Sequence, residues 1–392
     1  MSTRELPIAR LDFEDEAFQT DPWPLYDWHL THAPVHWSAS MNSYFVFGYR
    51  SVRQVLTSTE FTAYHPFRRS RAAFGPSALD SEGSTHNRYR GVLAGPFRPK
   101  AISGYAEAVV GDVVSRLLDD LLDTGDPAFV DELAWRLPTR VACRILGLPE
   151  SDDELLYRLM RPLILFVDHV SHDFGGVVRD RDALRGYLRD RVAGGIDPLR
   201  MLRTMAEAPG MSEPEVIDNA VLVLAAATET TCSATVNLVA RVAAEPGLFA
   251  RIRADRTLVP AVVTETLRHE PPLHVTLRYA ATDVTLEGVR IERGSSMQVC
   301  LASANRDPAV FAEPHVWNPW RTRATPLTFG MGRHHCLGSG LAQLELETVV
   351  GMLADRLTDL WVVAPDPATP RGRTFRSVPG LRLGYRRAGG RP

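Results

Sequence analysis

The chain has 392 residues, 45% of them hydrophobic and 23% charged, with a formal net charge of −3. That is ordinary globular composition, enough for one large domain or two smaller ones, and the near-neutral charge gives no reason to expect a nucleic-acid partner. Its four cysteines (Cys143, Cys232, Cys300, Cys336) are widely spaced and form no CxxC pair, which argues against a disulfide framework or a zinc site and fits a reducing compartment.

Met1 to Pro24 carries acidic residues and no apolar run, so no signal peptide is expected. No stretch approaches the ~20 apolar residues of a membrane span, and a soluble, cytoplasmic chain is expected. Val35–Trp37 and Tyr44–Gly48 read as short strands about a turn. His65–Gly75 is rich in Phe, Arg and Ala without a period and reads as a mobile loop. Apolar periodicity predicts helices over 101–123, 131–146, 152–166 and 178–192. Ser212-Glu213-Pro214-Glu215 is a capping box with Pro in the first turn. The apolar run from Ile217 to Ala244 then predicts a helix of about 30 residues, roughly 45 Å long, buried through the middle of the molecule. Residues 271–303 switch to strand-like alternation, with turns at Glu287-Gly288 and Arg293-Gly294. A Gly-hinged loop over Phe329–Gly338 leads into an amphipathic helix from Leu337 to Leu357, and 360–387 reads as short strands and turns. Helices dominate, with small sheets near both ends: the class is mainly α, of α+β type. No internal repeat or low-complexity linker is present.

Two segments carry chemistry. In the long helix, Ala226-Ala227-Thr228-Glu229-Thr230-Thr231 places a carboxylate and hydroxyls where burial costs stability unless they are partnered. The small residues before them leave space for something to press against that face. The plain alternative is a set of back-bonding threonines beside a solvated glutamate. The second segment is Phe329-Gly330-Met331-Gly332-Arg333-His334-His335-Cys336-Leu337-Gly338. Gly330, Gly332 and Gly338 permit φ > 0 and close approach to a flat ligand. The loop N–H groups and the start of the following helix favour an anion at Cys336. A lone cysteine held this way is a candidate thiolate ligand, and a thiolate pushes electron density into a haem iron. The alternative is a buried structural cysteine after a Gly-rich turn.

On these residues the chain resembles the cytochrome P-450 family. Phe329–Gly338 is similar to the family's haem-binding loop, F-G-x-G-x-H-x-C-x-G, with every fixed position present, and the resemblance runs from about Trp23 to Leu383. It implies a single P-450 domain over 1–392, helix-rich, with the long central helix over the haem and small β-sheets. It implies haem b (iron protoporphyrin IX) as cofactor and Cys336 as the axial thiolate. The central segment resembles A-G-x-[D/E]-T-T. That implies Glu229 and Thr230 as an acid–alcohol pair for proton delivery; Ala227 stands where the family has Gly, which is expected to narrow the helix kink. Glu265-Thr266-Leu267-Arg268 resembles the buried E-x-x-R pair, with Arg321 as its third member, all three structural. His86 and Arg90 (H-x-x-x-R), Arg278 (R-x-A-x-x-D) and His334 are implied contacts of the two propionates, for which guanidinium is well suited. Ala226, Phe329 and Gly338 complete the implied cofactor contacts. Ala304-Asn305-Arg306-Asp307-Pro308 is a turn-forming family signature, and Pro326 replaces a histidine usual before the loop.

By position, the segments expected to build the substrate pocket are 60–85, 163–182, Leu222, Ala225 and Ala226 on the long helix, His274 and Val275, and the turn at Thr374-Phe375. His274 either orients a polar substrate group or is simply packed. Resemblance to anchor-free bacterial members implies electrons from a ferredoxin with its reductase. Arg88, Arg98, Lys100 and Arg333 are a candidate basic face for that acidic partner; scattered solvated cations are the alternative, and Gln343 departs from an Arg common there. The implied activity is O2-dependent oxidation of a small organic molecule, an intermediate of secondary metabolism. Two alternatives stay open: oxidative coupling, cyclisation or desaturation without oxygen insertion, and a non-enzymatic haem sensor, against which Glu229-Thr230 argues.

Overall fold

The computed structural model describes residues 12–168, 173–194, 201–321, 324–365 and 367–389. They fall into two compact units. One takes in Met1–His65, Arg268–Cys336 and Pro370–Arg376; the other takes in Pro66–Leu267, Leu337–Thr369 and Ser377–Pro392.

The first unit contains helices α1 (Trp23–His32) and α2 (Tyr49–Thr57) and the main sheet. Its strands are β1 (Val35–Ser38), β2 (Ser43–Val46), β3 (Phe61–Thr62), β4 (Val275–Ala280) and β7 (Ser296–Cys300), in the order β1-β2-β7-β4-β3. Only β2 and β7 run parallel. Val52, Val55 and Leu56, spaced i, i+3, i+4 on α2, pack with Val46, Met297 and Val299. Between them β5 (Val284–Leu286) and β6 (Val289–Ile291) form a hairpin. Its two turn residues, Glu287 and Gly288, both have positive φ (49° and 77°), as a type I′ turn requires.

The second unit holds α3 (Arg69–Phe74), α4 (Gly83–Leu93), α5 (Asp112–Asp123), α6 (Phe129–Leu146), α7 (Asp153–Asp168), α8 (Phe174–Ala193), α9 (Glu213–Ala244), most of α10 (Val259–His269) and α11 (Ser339–Arg356). Strands β8 (Leu357–Ala364) and β9 (Arg382–Arg387) pair antiparallel. The 32-residue α9 is the axis of this unit and packs against α6, α7, α8 and α11. The capping box forms: Ser212 N–H and Oγ donate to Glu215 Oε2 at 2.8 and 2.9 Å, with Pro214 in the first turn. Gly247, in the left-handed region at φ 72°, turns the chain beyond its end.

Three expectations are corrected. His65–Gly75 is no loop throughout: Arg69–Phe74 is helical, with Ser70, Ala73 and Phe74 buried. Packing on α7 and α8 overrides a local pattern too short to show a period. The 101–123 helix is three pieces, Pro99–Tyr105, a π-turn over Ala106–Gly111, and α5. A Cβ on Gly111 would lie 2.8 Å from the Ala106 carbonyl oxygen, so the widened turn closes on a residue without one. Third, α9 is long and apolar enough to cross a bilayer by length and composition. Two-thirds of its most apolar window (67%) is instead buried inside the protein, so the apolar run builds the core. The helix and strand over 337–364 divide earlier than expected: Leu357 opens β8 and does not end the helix.

Candidate functional site

The cysteine loop closes on itself through backbone bonds. Gly330 N–H donates to Leu327 O (2.8 Å), His335 N–H to Gly332 O (3.0 Å) and Cys336 N–H to Phe329 O (2.9 Å). The Asn305 side chain, from the Asn-Arg-Asp signature, accepts from Leu327 N–H at 2.6 Å and ties the loop's entry to the sheet region. Gly330 and Gly332 take φ of 67° and 74°. At Gly332 a Cβ would sit 2.6 Å from Leu56 O at the end of α2, so glycine is needed there for space as well as for conformation. Gly338, by contrast, has φ −85° and caps α11; the expected left-handed turn is absent there. Arg333 donates to Ser58 O at 3.3 Å and pins the same loop to the residue after α2.

This scaffold leaves Cys336 exposed. The other cysteines are kept from reacting by burial: Cys143 and Cys300 are buried, and burial pushes the Cys143 thiol up to about 12 and raises those of Cys232 and Cys300 still further. Of the four sulfurs, the exposed one is therefore the one at the motif position. The buried structural-cysteine alternative does not describe it.

The second part lies on α9. From Val216 to Ala240 the helix is buried except at Val223, Ala226, Ala227, Glu229, Thr230 and Cys232. Val223, Ala226, Ala227 and Thr230 follow the i, i+3, i+4, i+7 spacing of one helix face. A helix otherwise packed on all sides thus opens one stripe, lined by small residues, with Ala226 its most exposed point. The helix stays regular through Ala227. Thr228, Thr230 and Thr235 donate to the carbonyls four residues back, Thr230 to Ala226 O at 2.9 Å. The back-bonding alternative is therefore correct for the hydroxyl proton. It also fixes the chemistry: with its proton committed, Thr230 Oγ1 presents lone pairs to the stripe and accepts hydrogen bonds there. Glu229 is not the solvated acid of that alternative. It is half-buried, and burial raises its pKa; Arg161 on α7 pulls it back and Asp168 pushes it further up. An acid so held is protonated more readily than a solvated glutamate.

His86 and Arg90 lie one turn apart on α4; His86 is buried (3% exposed) and Arg90 half-buried, on the face shared with Tyr89 and Leu93. Arg278 lies on β4, 6% exposed, donating to Leu277 O at 2.8 Å. His334 and Phe329 belong to the cysteine loop. Arg88 is corrected: it is no solvated docking cation but holds Glu215 through two bonds (3.0 and 2.7 Å), alongside Tyr89 Oη at 2.7 Å. The Arg88 bond holds the Glu215 carboxyl well below its usual range. Arg98 and Lys100 are exposed.

The two arginines of the predicted structural group bind backbone carbonyls of one segment. Arg268 (1% exposed) donates to Asn305 O (2.8 Å), Pro314 O (3.0 Å) and Val316 O (3.4 Å), and Arg321 donates to Ala312 O (2.8 Å) and Val316 O (2.6 Å). The two guanidiniums meet on one carbonyl and clamp the 312–316 segment. Glu265, on the same helix as Arg268, is 3% exposed.

The pocket residues divide. Ala226 is open and Phe375 half-buried, paired with Leu273 by a single antiparallel bridge. Leu222, Ala225 and Val275 are buried in the core. Of the 163–182 segment, residues 169–172 lie outside the described residues. His274 takes the packed role, not the substrate-orienting one: it has no exposed surface and meets Glu270 at 3.2 Å. Burial holds His274 neutral, its pKa lowered to about 4. Burial alone would raise Glu270; its bond to His274 and the charges of Arg306 and Arg376 hold it ionised. Arg376 reaches four backbone carbonyls, among them Gln19 O (2.8 Å) and Pro370 O (2.7 Å). Two residues were missed at the sequence level. Val223 follows from the stripe's period once its open face is known. Glu345 on α11 gives no local signal: it is buried at 2%, its Oε2 has no hydrogen-bond partner among the described residues, and burial pushes it up to about 8.

The residues present fit a haem: one exposed, soft sulfur donor on a closed loop, and a small-residue stripe on an otherwise buried helix against which a flat group can lie. The comparisons agree. The family model for cytochrome P450 matches residues 195–358, which include both the stripe and Cys336. The chain is 30% identical over 348 residues to the cyclomarin C epoxidase CymV of Salinispora arenicola, covering 84% of this chain and 87% of that protein. It is 29% identical over 377 residues to the cytochrome P450 monooxygenase PikC of Streptomyces venezuelae, covering 92% and 89%. The crystal structure of CalO2 superposes with a TM-score of 0.85 at 28% identity, over 96% of this chain and 99% of that one. Similarity of this extent, on this fold and around this cysteine, makes the chain a member of the cytochrome P450 family and a monooxygenase of that family.

Proposed function

We propose that the enzyme takes electrons from a ferredoxin and its reductase, uses haem b, and oxidises a small organic molecule of secondary metabolism in the cytoplasm. The observation that carries this reading is the exposed Cys336 at the end of a loop whose every backbone turn serves to present it. The epoxidase and monooxygenase relatives support oxygen insertion as the outcome. Haem, when bound, supplies the one-electron and O2 chemistry. The chain's own residues do the rest. Cys336 provides the thiolate. His86, Arg90, Arg278 and His334 receive the propionates. The family resemblance supports Phe329, Ala226 and Gly338 as residues that would contact the ring. Thr230 Oγ1, its own proton bound to Ala226 O, accepts a hydrogen bond in the open stripe and holds the donor in place. Glu229 supplies the proton from the α7 side, where Arg161 lies.

The test is a carbon monoxide difference spectrum of the reduced protein, followed by turnover with a surrogate ferredoxin and reductase under labelled oxygen gas. A thiolate-type band and label in the product are expected. A histidine-type band would end the reading. Unlabelled product would replace oxygen insertion with coupling, cyclisation or desaturation, and no turnover would favour the sensor.

A further inference from the structure

Asn305, Arg306 and Asp307 follow one another in the chain, and each side chain holds a different piece of the first unit. Asn305 ends the short helix Leu301–Asn305 and has no exposed surface; Arg306 is 5% exposed. Arg306 Nε donates to His269 O at 2.9 Å, and its charge faces Glu270 at 3.4 Å. Asp307 Oδ2 accepts from Tyr49 N–H at 2.8 Å. Tyr49 is the first residue of α2, and the preceding Gly48 has no side chain with which to cap it. Asp307 therefore caps α2 across 258 residues of sequence. Asn305 faces the cysteine loop: Leu327 N–H donates to its Oδ1 at 2.6 Å, and its Nδ2 donates to Thr328 Oγ1 at 2.9 Å.

The direction of that amide is forced. A backbone N–H only donates, so Oδ1 has to face Leu327 and Nδ2 has to face Thr328. Both ends of one side chain are thus committed to the two residues before Phe329, whose carbonyl oxygen in turn accepts from Cys336 N–H at 2.9 Å. Arg268 holds Asn305 from behind, donating to Asn305 O at 2.8 Å. The far side of the loop rests on the C-terminal end of α2, where Arg333 donates to Ser58 O at 3.3 Å and Gly332 lies against Leu56 O. Entry and far side therefore trace back to one turn, the first through Asn305 and the second through Asp307 and α2. Without the Asn305 amide, Leu327 N–H, in a residue with no exposed surface, loses its acceptor. An unmet buried donor is costly, and the loop relieves it by shifting its entry while its far side stays on α2. A ligand atom tolerates a displacement of only about 0.5 Å.

We propose that Asn305 is the positioning residue for Cys336: its amide fixes the entry of the loop so that the sulfur is placed to ligate. This deepens the proposed function and rests on Cys336 as the haem ligand. The test is the carbon monoxide spectrum of the reduced holoprotein, with Tm measured alongside. Asn305→Leu keeps the size of the side chain and removes both bonds. It should raise the share of the complex absorbing outside the thiolate-type band at least fivefold over the parent. Thr328→Val removes only the acceptor for Nδ2 and should raise that share about twofold, whereas Thr328→Ser, which keeps the hydroxyl, should match the parent. Val114→Ala, in the core of the other unit, should lower Tm and leave the band as it was. A parent-like band in folded Asn305→Leu, equal shares in Thr328→Val and Thr328→Ser, or the same loss of band in Val114→Ala would overturn the assignment. If Asn305→Leu yields no folded protein, the two Thr328 variants decide. A parent without a thiolate-type band sinks the proposed function; a normal parent band that the variants leave untouched sinks this inference alone.

Discussion

The Cys336 loop in one unit and the 223–230 stripe of α9 in the other both expose groups in surroundings that bury their equivalents, and they do so by different physics. The loop works through backbone geometry: two left-handed glycines, three short N–H···O bonds and a contact with α2 leave the sulfur outside. The stripe works by an interruption of packing: the backbone of α9 is regular, and a face of small side chains goes uncovered. A loop of this kind is intolerant at particular residues, whereas a helix face tolerates backbone-neutral changes and responds to side-chain chemistry.

The largest expected effect is at the loop's product. Cys336→Ser should abolish the thiolate-type carbon monoxide band and all turnover, with the fold retained by circular dichroism. A retained band would mean that another residue holds the iron. Next come the glycines, which separate conformation from spacing. Gly332→Ala forces a left-handed non-glycine residue, about 1–2 kcal/mol, onto a carbonyl 2.6 Å away, and should lower Tm by several degrees and weaken haem retention. Gly338→Ala, at φ −85° with its nearest neighbour 3.9 Å off, should stay within about 0.5 kcal/mol of the parent. Equal losses at both would show that the loop is not held by its turns.

On the helix, Thr230→Ala should leave Tm nearly unchanged and raise the hydrogen peroxide formed per reductant consumed severalfold. Thr228→Ala, which deletes the same kind of back-bond on the buried face, should leave the peroxide yield as it was. Matching yields would remove Thr230 from proton delivery. The smallest effect is a slope. Glu345 has its pKa raised to about 8 in the folded chain against an ordinary 4.5, so the native state binds the extra proton between those values. Stability contributed by this group should fall as pH rises through that window, by up to about 1.4 kcal/mol per pH unit. Glu345→Gln should flatten that part of the Tm–pH curve; an unchanged curve would mean that Glu345 finds a partner in solution.

Much of this was legible before the fold was known, and the legible part has a common cause. Cys336, the capping box at Ser212 and Glu215, and the buried run of α9 depend on residues close in sequence, where local geometry and periodicity act directly. The same holds for the I′ turn at Glu287-Gly288. The failures involve partners far along the chain. His65–Gly75 looked unstructured because the helix within it is stabilised by α7 and α8, about a hundred residues on. Arg88 looked like a free surface cation because its carboxylate, Glu215, is distant in sequence. His274 was left open between pocket and core, and Arg376 and Arg306, which surround its partner Glu270, decide for the core.

The amino-acid sequence by itself determined the capping box and the long helix, and carried the motifs by which the family resemblance nominates Cys336, Glu229 and Thr230, because each is written in contiguous residues. Only the tertiary structure decided which face of that helix stays open and which of four thiols is exposed. It also decided which arginines are satisfied and which buried polar atoms still lack a partner. Burial and long-range pairing are properties of the packed chain, and no local pattern encodes the distance between residues that meet only after folding.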